Sequence, residues 1–406
     1  MATILIIGTL DTKGEVFAHA RELMHERGHN TIVLDAGIRG QPSFAPDISA
    51  ESIAEAGGSS LQTLRNEGDR GQAIDVMTAG VIHYATQFCE DGTIDGVFSL
   101  GGGGGTTIAA TAMQRLPIGM PKVLLSTVAS GDTRPFIDSK DITLMYSVVD
   151  IVGLNRLVRP ILANAVGAIC GMVEQSRPTG DDRPMIAASM FGVTTPCVEA
   201  VREKLENAGY EVLVFHATGT GGQAMESLIA EGYVVGVADV TTTEWCDEVV
   251  GGKLSAGPDR LTAAGKRGVP QVVSCGALDM VNFGPMDTVP DQFRERNLYK
   301  HNANVTLMRT TAAECEAIGR RIAANLNQAT GPTTLLLPAH GVSMIDAEGQ
   351  PFYDPEADRV LFDTLREACD ANVVTIKTIE AHVNDAEFAE AVVQHLREIL
   401  PSAARS

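Results

Sequence analysis

Positive charge is scarce in this sequence: 31 Lys and Arg stand against 51 Asp and Glu over 406 residues, a net charge of −20. Such a chain repels nucleic-acid backbone and anionic lipid unless it concentrates its cations, and no basic patch is visible. Neither nucleic acid nor a membrane surface is therefore expected as a partner. No apolar run approaches the ~20 residues that span a bilayer. The N-terminus, MATILIIGT, lacks a basic leader and cleavage site, so the cytoplasm is the expected compartment. The seven cysteines are widely dispersed and form no Cys-x-x-Cys pair, which argues against a disulfide framework and a cysteine zinc site. A G-x-S-x-G elbow is missing, which counts against an α/β-hydrolase. Aromatics are 5% of the chain, with one Trp.

Glycine and alternating apolar segments are what the chain has. Thr3 to Gly8 is a short β-rich run, followed by a loop, a helical pattern (Val16, Phe17, Ala20, Leu23, Met24) stopped by Gly28, and a strand ending at Asp35. The same order continues through a helix predicted over 69–90, a strand over 94–100, a helix opening near Thr106, a strand over 121–126 and a helix over 155–174. The polar stretch SRPTGDDRP at 176–184 reads as a linker. Beyond it the pattern restarts, with Gly192, Gly209 and His216 at positions parallel to Gly8, Gly28 and Asp35. Further strands are expected at 234–238, 271–274, 333–337 and 373–377, with helices between. Two Rossmann-like, doubly wound α/β domains with mainly parallel sheets follow, over 1–178 and 184–406. Ligands in such folds bind beyond the carboxyl ends of strands.

The sharpest feature is Gly101-Gly102-Gly103-Gly104-Gly105-Thr106-Thr107, between a strand and a helix. Glycines there let backbone N–H groups approach an anion, and the two threonines can add hydroxyl donors or cap the helix. Gly8-Thr9-Leu10-Asp11-Thr12-Lys13-Gly14 fills the first β-to-α turn but is neither a dinucleotide fingerprint nor a Walker A loop. Lys13 could neutralise phosphate and Asp11 could hold Mg²⁺; equally, Asp11 or Thr12 could cap the helix while Lys13 is solvated. Asp35 stands where an acid commonly accepts from ribose hydroxyls. Ser130, Gly131 and Asp132, in TVASGD, suit either a phosphate–metal site or an ordinary turn.

Together, the Gly8–Gly14 loop, the five glycines with their threonines, STVASGD at 126–132 and MYSVVDIVGLN at 145–155 resemble the Tm-one-like ATP-binding domain family. That domain begins a plant tobamovirus-resistance protein and also occurs as stand-alone microbial proteins. The resemblance covers essentially the whole chain. It implies two Rossmann-like subdomains, ATP on the N-terminal one and homodimerisation. A TIM-barrel domain that follows in the plant protein is not in this sequence, so a separate barrel protein is an expected partner and antiviral function is not carried over.

The second half places polar residues at strand ends: His216, Asp239, Asp279, His301, His340, Glu380 and His382. In a parallel sheet these ends share one rim, where histidines and carboxylates form acid–base pairs or a metal site. Asp279, His340, His216 and Glu380 are the candidate catalytic residues. The expectation is an ATP-binding enzyme of small-molecule metabolism, a transferase or ligase, with a polar substrate in the interdomain cleft. Two other readings use the same residues: a nucleotide-responsive regulatory subunit, and an ATP-independent lyase or hydrolase working from the C-terminal rim.

Overall fold

The computed structural model describes residues 1–176 and 183–401, and the chain divides into two compact units, Met1–Thr179 and Gly180–Ser406. Most of the expected linker, 177–182, lies outside the described residues.

The first unit alternates strand and helix: β1 (Thr3–Gly8), α1 (Leu10–Glu26), β2 (Asn30–Asp35), α2 (Ala50–Ala56), α3 (Leu61–Glu67), α4 (Arg70–Glu90), β3 (Gly96–Gly101), α5 (Gly103–Met113), β4 (Lys122–Ser126), α6 (Arg134–Ile137), β5 (Thr143–Tyr146) and α7 (Val158–Glu174). Every strand pair is parallel, in the order β2-β1-β3-β4-β5. Central strands are buried on both faces, as continuous apolar runs require. Leu5, Ile7 and Val97 pack on the α4–α5 side with Met77 and Ile108, while Ile4, Ile6 and Phe98 pack on the α1–α7 side with Phe17 and Leu162. The order reverses between β1 and β3, so their carboxyl ends diverge and open a crevice.

The second unit repeats the plan: β6 (Met185–Met190), α8 (Thr195–Asn207), β7 (Glu211–His216), α9 (Thr220–Glu231), β8 (Gly236–Thr241), α10 (Glu244–Val250), α11 (Ala263–Arg267), β9 (Gln271–Gly276), β10 (Met280–Phe283), β11 (Leu298–Lys300), β12 (Thr306–Arg309), α12 (Ala312–Leu326), β13 (Thr333–Pro338), α13 (Pro355–Ala368), β14 (Val374–Ile379) and α14 (Ala386–Ile399). Its six-stranded parallel sheet runs β14-β13-β9-β8-β6-β7. The internal likeness read from the sequence is geometric as well: Gly28 and Gly209 close the first helix of each unit with φ of 83° and 91°, where a side chain would be strained.

One element was not foreseen. β10, β12 and β11 form a separate antiparallel sheet inserted between β9 and α12. Among the described residues, no helix is long and apolar enough to cross a membrane.

Candidate functional site

A cleft of about 640 Å³ opens in the first unit at the β1/β3 reversal. Its floor is Gly102–Gly105, one wall is the β1–α1 turn from Thr9 to Lys13, and the other is built by Arg39, Arg65, Arg70 and their neighbours. Ile38, Leu64, Ala73, Ile74 and Ile108 supply an apolar flank.

The glycine run is less of a loop than the sequence suggests. Gly101 ends β3, Gly102 is the residue before the helix (φ −86°, ψ −166°), and Gly103–Gly105 form the first turn of α5. None of the five has positive φ, so backbone conformation does not demand glycine here. Packing does not demand it at 102–105 either. A Cβ on Gly103 would meet nothing within 4 Å, and on Gly102, Gly104 or Gly105 nothing nearer than 3.7 Å. By contrast, a Cβ on Gly8 would stand 2.8 Å from the Phe17 ring and one on Gly14 2.5 Å from Ser43 Oγ, so a side chain at either place would force its neighbour to move. Glycines in a first helical turn cost up to about 1 kcal/mol each relative to alanine. Here the protein uses none of the space they leave.

The start of α5 is also uncapped: its N-cap residue is a glycine, and among the described residues no side chain accepts from its first N–H groups. The second unit supplies the comparison. Its own glycine turn, Gly219–Gly222 before and within α9, holds a protein carboxylate. Glu244 accepts from Gly219 N at 2.7 Å and Gly222 N at 3.1 Å, and a Cβ on Gly222 would collide with it. Glu244 in turn meets Arg260, which also pairs with Asp239 and Glu226; burial raises the pKa of Glu244 and Glu226 against the pull of that guanidinium. One glycine-rich helix start is thus filled from within the fold, and the other is open.

The sequence-derived binding residues divide by what they do. Thr9, Asp11, Thr12 and Lys13 line the cleft with Gly102–Gly105, whereas Gly101 is buried beneath. Asp11 Oδ2 accepts from Arg39 N at 2.8 Å and Gly40 N at 3.2 Å, fixing the loop after β2. Lys13 sits at a kink in α1 and sends Nζ to Ile151 O at 2.6 Å, with Asp150 at 3.9 Å. Asp35 lies outside the cleft: it is buried, its Oδ1 accepts from Leu10 N and Gly37 N, and burial pushes its pKa up. Thr106 is buried against Ser126 Oγ at 2.7 Å, and Thr107 bonds back to Gly103 O; neither threonine caps α5. Ser130, Gly131 and Asp132 are exposed and line no part of the cleft. Asp132 is held by Arg134, which lowers its pKa to about 2. Arg39, Arg65 and Arg70 were missed, since they belong to no motif and the loops around β2 and α3 bring them in.

The expected catalytic set of the second unit does not converge. His340 and Glu380 follow adjacent strands and meet at 3.6 Å, both largely in solvent. His216 ends β7, four strand positions from β13, roughly 19 Å at the usual spacing. Asp279 is not on the rim at all: it is fully buried, accepts from Ser343 Oγ at 2.7 Å and belongs to a cluster with Arg309, Asp346 and Asp358. Cys246 and Cys275 are buried with thiol pKa values pushed up, unlike activated nucleophiles. Among the described residues, no group of three or more His, Cys, Asp or Glu could hold a metal.

Family models match both units. Residues 2–178 match the N-terminal domain, and 183–400 the C-terminal domain, of the uncharacterised protein family UPF0261. The chain belongs to that family. It is 53% identical to a UPF0261 protein of Clostridium tetani over 97% of this chain and 98% of that one. It is 46% identical to a Rhizobium meliloti member over 98% and 99%. The ToMV resistance protein Tm-1 of Solanum lycopersicum is 45% identical over 98% of this chain, which spans 56% of the tomato protein. UPF0261 membership and this relative agree with the family resemblance read from the glycine loops. A solved UDP-N-acetylglucosamine 2-epimerase from Rickettsia bellii aligns with 67% of this chain and 78% of its own at 11% identity and a TM-score of 0.24, too little overlap to bear on the site.

Proposed function

We propose that the first unit binds a nucleoside polyphosphate, ATP foremost, as an ATP-dependent enzyme of small-molecule metabolism. One observation carries the binding: at Gly102–Gly105 the fold leaves backbone N–H groups uncapped and side-chain space unused, at the mouth of a cationic cleft. Helix N–H groups attract anions, and the carboxylate at the glycine turn that opens α9 is an instance of the protein satisfying the same need internally. The arginines offset the acidic surface locally, and the flank of Ile38, Leu64, Ile74 and Ile108 suits a flat base. The resemblance to the Tm-one-like ATP-binding domain favours adenine. Mg²⁺ would arrive with the phosphates, since Asp11 and Asp69 already accept backbone N–H groups through one oxygen each. Phosphoryl transfer would draw on those same N–H groups for stabilisation of charge on the moving phosphoryl.

Calorimetric titration with ATP, ADP and NAD, with and without Mg²⁺, tests the reading on the wild type and Gly103→Val. Micromolar-range ATP binding that the valine abolishes is expected; equal binding by both proteins overturns the assignment. ADP release that depends on an added metabolite would then separate an enzyme from a binding subunit.

A further inference from the structure

Resting on the polyphosphate reading, we infer that Arg39 and Arg70 select for ligand charge in this cleft, favouring nucleoside di- and triphosphates over monophosphates. The other charged side chains of the cleft are already engaged. Lys13 donates to Ile151 O, and Asp11 and Asp69 accept backbone N–H groups. Arg65 donates to Ile38 O at 2.6 Å and Gly40 O at 3.2 Å. Arg39 and Arg70 differ: among the described residues neither side chain has a hydrogen bond or ion pair, in a chain with twenty more acids than bases. Unpaired cations in so acidic a protein are available to a ligand.

Both are nevertheless held in place through their backbones. Arg70 is the first residue of α4, whose N-terminus is capped by Asp69 Oδ1 on Gly71 N (2.8 Å) and Gln72 N (3.1 Å). Its Nη2 lies 3.7 Å from the Cβ position of Gly104, alongside the uncapped turn of α5. Arg39 is fixed from two directions: Asp11 receives its N–H, and Arg65 grips the carbonyls on either side of it. A helix terminus contributes only about half a unit charge. Two guanidiniums from separate elements raise the local positive charge further, and a di- or triphosphate, which carries more negative charge than the roughly −2 of a single phosphate, gains more from them. Bidentate guanidinium–phosphate bonds are among the stronger hydrogen bonds available.

Titration of the full chain with ATP, ADP, AMP and inorganic triphosphate, at one ionic strength, tests this on wild type, Arg39→Met, Arg70→Met and Arg70→Lys. The wild type should prefer ATP to AMP by about 100-fold, and each methionine should cut that preference by at least ~10-fold, about 1.4 kcal/mol, while changing AMP binding little. Triphosphate should weaken in parallel, showing that the arginines read phosphate rather than the nucleoside. Lysine should recover part of the preference. Melting midpoints should stay at the wild-type value because neither side chain has an internal partner. Retention of the wild-type ATP/AMP ratio in both methionine variants overturns the inference while leaving nucleotide binding intact. A wild-type protein that binds neither ATP nor triphosphate overturns the polyphosphate reading, and this inference with it.

Discussion

A glycine that no neighbour requires can be tested by giving it a side chain. Gly103 has negative φ and open space at its Cβ position, so Gly103→Ala should fold at least as well as the wild type. Helix propensity favours alanine, and thermal unfolding should show a gain of up to about 1 kcal/mol. Binding of ATP should weaken in the same variant, since the methyl group occupies the approach to the N–H groups. A stability gain with a loss of ligand is the signature of a position kept open for something outside the protein. Gly222→Ala is the opposite control: its methyl group collides with Glu244, and the variant should lose stability irrespective of nucleotide. The sequence made the five glycines conspicuous because a run is rare. It could not say which of the chain's glycines the fold itself needs, since that depends on Phe17 reaching Gly8, Ser43 reaching Gly14 and Glu244 reaching Gly222. Asp35 and Thr106 misled for a related reason. A polar residue at a strand end or in the first turn of a helix can serve a ligand or, as Asp35 does for Leu10 N and Thr106 for Ser126 Oγ, a buried group of the protein, and both uses look alike in sequence.

Elements show where apolar pattern suffices and where it does not. The long helices were legible: α4 and α7 fall within a few residues of the segments expected over 69–90 and 155–174. The parallel strands were legible as short apolar runs between turns. The antiparallel sheet of β10, β11 and β12 was not, because its strands are three or four residues long and lie among Pro, Gly and Asn. The start of α9 carries the prediction at this scale. Arg260 is 1% exposed and joins Asp239, Glu244 and Glu226, three carboxylates that arrive on β8, α10 and α9. Arg260→Met would leave them buried together without a counter-charge, a change that typically costs about 3–5 kcal/mol. Urea unfolding should show the loss in the second unit, and a loss under 1 kcal/mol would remove Arg260 as the link between those elements.

At the scale of the molecule, the charge hidden in the second unit sets how stability responds to pH. Burial raises the pKa of Asp279 to about 6, of Asp247 to about 7 and of Asp346 to about 9, from an ordinary 3.8. Asp279, Asp346 and Asp358 crowd a single guanidinium, Arg309, so full ionisation would leave excess negative charge in the core. An acid with a folded-state pKa above its unfolded value keeps a proton that the unfolded chain has given up. Stability should therefore fall as pH rises from about 4 through 9, by at most ~1.4 kcal/mol per pH unit for each proton retained. Chemical denaturation of the full chain at pH 5.5, 7 and 8.5 should show the second unit weakening steadily, the reverse of the usual stabilisation of paired carboxylates. Asp346→Asn carries the amide in place of the protonated acid. It should lie near the wild type at pH 5.5 and decline less steeply above, and an unchanged slope would show that Asp346 is ionised in the fold and that Arg309 alone balances the cluster.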